Sequence, residues 1–202
     1  MRLKVLSGAY AQIFEALVSW LAGKPVINDE KILDPGSNGT NMETLSPIDL
    51  PQMSVGAPLP RVYMDEHRLL IVYIGGNGGP DWKGTAISSV TEETEREVCV
   101  LLEADSYVIC KFGLPNDEAL SGHRLFKLGL SHYSSFEVLN SAWISELEQM
   151  NRVHPKHDAR MYDSCRHFIL TFHDSTLEFV ADNYSVRVVR GSVQDVFLRA
   201  LL

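Results

Sequence analysis

No stretch of 18 consecutive apolar residues occurs in this chain, so no segment has the makings of a membrane-spanning helix. Basic residues are also short: 18 lysines and arginines stand against 26 acidic residues, a formal net charge of −8. That balance offers no basic stripe for phosphate contacts, and nucleic acid is excluded as the expected partner. Cysteine is scarce. Cys99, Cys110 and Cys165 form no C-x-x-C pair, and their odd number gives no disulfide framework. Cys99 and Cys110 sit inside apolar, strand-like runs, which suits small buried hydrophobes in a reducing compartment. No internal repeat is visible. Phosphate-loop chemistry is missing as well. Gly75-Gly76-Asn77-Gly78-Gly79-Pro80 lacks the Gly-Lys-Ser/Thr order, offers Lys83-Gly84-Thr85 instead, and has no helix signal after it, so it reads as a wide turn.

What is present is an ordinary globular composition. Of 202 residues, 45% are hydrophobic and 22% charged, enough to build a core without a metal or disulfide. Leu6, Ala9, Ile13, Leu17 and Leu21 recur at helical spacing, so residues 1–23 read as a short amphipathic helix. The basic start resembles a secretory signal, but Gln12 and Glu15 interrupt the apolar region and no small-residue cleavage pattern follows. The expected address is the cytoplasm.

Residues 24–60 hold six of the nine prolines, with scattered apolar residues of no period. They read as a linker or extended arm, because proline removes backbone donors and the segment has little apolar surface to offset ordering. The expected folded body is therefore residues 61–202, a single α+β domain. Apolar runs over 67–74, 95–102 and 107–112 read as strands, the last two as hairpin partners across Glu103-Ala104-Asp105-Ser106. Trp143, Ile144, Leu147 and Met150 place a helix over about 140–151, capped by Asn140 or Ser141 and facing a sheet. A second hairpin occupies 166–189, and 193–202 suggests a short C-terminal helix. The architecture expected is α+β: an antiparallel sheet of hairpins with one helix packed on it, a short C-terminal helix, and an N-terminal helix plus proline-rich arm.

The chemistry, if any, lies in the second hairpin. With Asp174-Ser175 as a two-residue turn, alternation puts Phe168, Leu170, Phe172, Leu177, Phe179 and Ala181 on an apolar face. His167, Thr171, His173, Thr176, Glu178 and Asp182 fall on the other, with Thr171 opposite Glu178. Such a face can be the solvated side of an antiparallel sheet. It can also hold a site. The candidate catalytic residues are His167, His173, Glu178, His123 and Cys165. His167 and His173 are about 20 Å apart along an extended strand, too far to share an ion, and no cofactor or metal is expected. Cys165 and His167 fall about 7 Å apart on one face, the reach of a thiolate–imidazole pair. His173-Asp174-Ser175 is no triad, because sequence neighbours point to opposite faces. The loop 112–123 carries His123 and two carboxylates, Asp117 and Glu118, and would flank such a pocket.

Glu92, Glu93, Glu95, Glu97, Glu103 and Asp105 against Arg96 form an acidic local field, suited to a basic protein partner. The expected function is protein binding. The alternative is a small hydrolase-like enzyme with histidine acid–base chemistry, or a single metal ion, at the polar hairpin face.

Overall fold

The computed structural model describes residues 42–76 and 89–202. The helix expected over 1–23, residues 24–41 of the arm, and the glycine-rich loop from Asn77 onward lie outside the described residues. Two antiparallel sheets carry the fold. The first runs β1 (Thr44–Pro47), β6 (Ser135–Leu139), β7 (Arg166–Thr171), β8 (Thr176–Ala181), β5 (Tyr107–Gly113). The second runs β2 (Arg61–Met64), β3 (Leu69–Ile74), β4 (Glu97–Ala104), β9 (Ser185–Gly191). Among the described residues two α-helices complete it, α1 (Ala142–Asn151) and α2 (Val193–Leu201). The domain is α+β and mostly sheet. Among the described residues no helix is long and apolar enough to cross a membrane.

The sheets meet across one core. Phe168, Leu170, Phe172, Leu177, Phe179 and Ala181 from the hairpin pack against Leu69, Ile71, Tyr73, Val100, Leu102 and Ala104 of the second sheet. The hairpin's apolar alternation is therefore the inner face of the first sheet. Each leucine, isoleucine, valine and phenylalanine side chain among them contributes about 1.5–3 kcal/mol when fully buried. Tyr73 and Phe172 meet edge to face at 5.5 Å, and the Tyr73 hydroxyl donates to the Pro51 carbonyl at 2.8 Å. β3 is apolar on both sides because both are covered. Leu70, Val72 and Ile74 turn away from the core onto Val193 and Val196 of α2. The outer face of the first sheet is covered too. Trp143 and Leu147 of α1 pack on Val180, while Leu120, Leu125 and Leu130 pack on Val138 and Ile169.

Four expectations need correction. β4 and β5 are not hairpin partners: β4 lies between β3 and β9, and β5 pairs with β8. With both edges of β4 occupied, the turn at Asp105-Ser106 carries the chain from one sheet to the other. The domain does not begin at residue 61. The compact unit starts at Asn41, because β1 pairs with β6 and fully buried Met53 bridges to Gly75. Proline is tolerated there since Pro47 ends a strand at the sheet's edge. The hairpin register differs by two. Phe172 N–H donates to the Ser175 carbonyl at 2.8 Å, Thr171 faces Thr176, and Glu178 faces Ile169. A shift of two leaves every side chain on its expected face, whereas a shift of one would have reversed a strand. Met150 points to solvent, 57% exposed, because α1 ends at Asn151 and only its Trp143–Leu147 stripe reaches the sheet.

Candidate functional site

The outer face of the hairpin is covered by α1 and by residues 114–134, which changes the meaning of its polar residues. His167 is fully buried, Thr171 1% exposed and Glu178 8% exposed. Of the two readings the sequence leaves open, the solvated face does not apply to these residues, since this segment and this helix occupy the space water would have had.

Glu178 is the centre of the first polar cluster. His167 Nε2 lies 3.0 Å from Oε2, His123 Nε2 3.4 Å from Oε1, and an Arg124 guanidinium nitrogen 3.5 Å from Oε2. Arg124 also pairs with Glu43 at 2.6 Å, and the other oxygen of Glu43 accepts the Ala142 N–H at 2.8 Å. Burial alone pushes the Glu178 carboxyl up, but the hydrogen bonds it accepts from His123 and His167 outweigh that and hold the group well below the usual carboxylate range. On the far side of its ring, His167 Nδ1 lies 2.8 Å from Ser141 Oγ. Ser141 is also the N-cap of α1, accepting the Ile144 N–H at 3.3 Å. His123 Nδ1 accepts the Leu125 N–H at 3.2 Å, which puts the ring hydrogen on Nε2, facing Glu178. Ser141, His167 and Glu178 thus resemble a triad on paper. They do not work as one: Ser141 is 5% exposed, and its oxygen is engaged by the helix cap and by His167.

The second cluster sits at the hairpin turn. His173 Nδ1 donates to Asp117 Oδ2 at 2.7 Å. The Tyr133 hydroxyl donates to the same oxygen at 2.9 Å and lies 2.8 Å from His173 Nδ1. Tyr133 first, then His173, hold Asp117 below its ordinary carboxylate value. Burial, together with Asp117, pushes the Tyr133 hydroxyl up to about 12. The backbone locks the same residues: Asp117 N–H donates to the His173 carbonyl at 2.9 Å, and His132 Nε2 is 3.0 Å from the Asp117 carbonyl. His173 remains 41% exposed at its side chain.

The five candidates therefore divide. His123, His167 and Glu178 come together, sealed; His173 stands in a separate, open cluster; Cys165 joins neither. Cys165 packs beside Trp143 and Leu147, its thiol faces the Met161 carbonyl at 3.8 Å, and burial raises its pKa, which opposes a reactive thiolate. Among the described residues no group of three or more histidine, cysteine or acidic side chains is placed to hold a metal. Arg124, Glu43 and Tyr133 were missed from the sequence. Arg124 adjoins His123, a usable hint; Glu43 and Tyr133 carry no local signal of reaching the hairpin. The acidic field is partly neutralised by Arg61 on Glu92 and Arg187 on Glu103. A hollow of about 330 Å³, lined by Glu95, Arg96, Arg190, Gly191, Ser192 and Asp195, lies at the start of α2 and contains none of the five candidates.

The chain matches no family model, and comparison with curated proteins and with solved structures returned no match.

Proposed function

We propose that this chain is a protein-binding domain that receives a strand of its partner along the free edge of β5. The observation that carries the reading is the character of that edge. β5 ends the first sheet and has no strand on its outer side among the described residues. Val108, Phe112 and Leu114 are 47%, 45% and 87% exposed along and just beyond it. Proteins usually protect such edges with charge, proline or short length. The other edges have that protection: β1 and β2 are four residues each, and β9 carries exposed Arg187 and Arg190. The one charge on β5 is drawn aside, with the Lys111 ammonium 3.7 Å from the Trp143 ring centre.

Strand addition supplies affinity through main-chain hydrogen bonds and specificity through alternate side chains. A net charge of −8 favours a basic partner by speeding encounter. Three free cysteines suit a reducing cytoplasm. The sealed network around Glu178 weighs against chemistry at that face, because its polar atoms already have partners.

The test is a photo-crosslinking amino acid placed at position 112 or 150 in the source cells. One discrete adduct from position 112, lost on Val108→Lys, is expected. Equal adducts from the exposed helix position 150, or none from 112, would refute the β5 edge.

A further inference from the structure

We propose that His173 is a general base, positioned by Asp117, for hydrolysis of an uncharged ester whose acyl group is apolar. The inference goes beyond the binding reading and rests on the His173 turn, sharing with that reading only the exposed apolar chain at the end of β5. In the His173 ring only Nδ1 is engaged by the carboxylate and the phenol; Nε2 has no hydrogen-bond partner among the described residues, its nearest carboxylate being Asp174 at 4.0 Å. A carboxylate holding one ring nitrogen fixes the tautomer, so the lone pair stands on the other. Here that other nitrogen is the one left for a ligand.

The support around the ring is more than a surface pair requires. Asp117 is held by Tyr133 and by two backbone-directed contacts, to the His173 carbonyl and from His132. The Tyr133 ring lies nearly parallel to the imidazole, 12° between planes. Tyr133 itself sits at φ +51°, a left-handed conformation that is unfavourable for an aromatic residue and survives only where the surroundings enforce it. Such an arrangement keeps an imidazole in one orientation, as proton transfer demands.

The substrate class follows from the surroundings. Asp117 and Asp174 flank the ring and Glu118 is next in the chain, which disfavours an anionic substrate. Gly113 pairs with Thr176 and Asp117 N–H donates to the His173 carbonyl, so the chain from exposed Leu114 to Asp117 runs along the end of the sheet that carries the His173 turn, and Leu114 is the apolar side chain available there to an acyl group. In the reaction Nε2 takes a proton from water as the water oxygen bonds to the ester carbon. The same proton then passes to the leaving alkoxide as the carbon–oxygen bond breaks, giving acid and alcohol.

The probe is 4-nitrophenyl butyrate, followed by nitrophenolate release with the full chain. The wild type should exceed the same concentration of free imidazole by about 100-fold, the low end of positioned acid–base catalysis. His173→Gln should fall to the imidazole-free background with its melting temperature kept. His173→Ala should regain rate on addition of imidazole, which a purely structural histidine would not show. Asp117→Asn should lower the rate by about tenfold or more while the unaltered imidazole remains. A His173→Gln rate equal to wild type, a wild-type rate no better than imidazole, or absence of imidazole rescue would each overturn the proposal. None of these outcomes touches the β5 crosslink.

Discussion

At the scale of single residues, Glu178 shows how a buried carboxylate is made tolerable. A charged group in the interior is costly unless it is paired and hydrogen-bonded, and here two imidazoles and a guanidinium surround it. The sign of its pH dependence follows from its direction of shift. Its folded pKa lies below the unfolded value of about 4.3, so its contribution is complete above that pH and is lost as pH falls toward the folded value. Glu178→Gln removes the charge and places amide hydrogens at one of the two oxygens that accept from His123 and His167. A loss of about 2–4 kcal/mol at neutral pH is expected. Urea unfolding between pH 7 and pH 3 should show the gap between wild type and Glu178→Gln narrowing below about pH 4.3. A gap of constant size would mean that Glu178 is not the ionised centre of this cluster.

At the scale of elements, the β7–β8 hairpin does two jobs with its two faces. The inner face anchors the core through Phe172, 1% exposed and edge-on to Tyr73. Phe172→Ala should therefore cost about 3–5 kcal/mol, from lost transfer energy and the cavity left behind. Chemical denaturation measures it, and a cost under about 1 kcal/mol would contradict the packing described. This face was legible from the sequence because alternation has period 2 whatever the pairing. The register was not legible, since Asp174-Ser175 gives weak turn instructions and the chain uses Phe172–Ser175 instead. Nor was the covering of the outer face. Whether His167 meets water or Ser141 is decided by α1 and residues 114–134, which arrive from distant sequence. The polar loop at 112–123 did point to Asp117 and His123, but nothing local links Tyr133 to His173 or Glu43 to Arg124.

At the scale of the whole domain, the edge strands decide both its limits and its contacts. β1 closes one end of the first sheet by pairing with β6, and the chain just after it supplies Met53 to the core beside Gly75. Gly76 fits there because a Cβ would come within 2.5 Å of the Met53 carbonyl oxygen. A chain starting at Asn41 should therefore keep cooperative unfolding, as the compact unit begins there. A chain starting at Gly56 loses β1, Glu43 and Met53 together. The missing Met53 side chain alone is worth about 2–5 kcal/mol, a large fraction of the 5–15 kcal/mol that holds an ordinary domain. The same deletion bares β6 as a new sheet edge, which invites edge-to-edge association. Thermal melts of the two truncated chains, with light scattering recorded alongside, should show the shorter one melting well below the longer and aggregating. Matching melting temperatures would mean that residues 42–55 contribute nothing to the body, against the burial of Met53 and the ladder between β1 and β6.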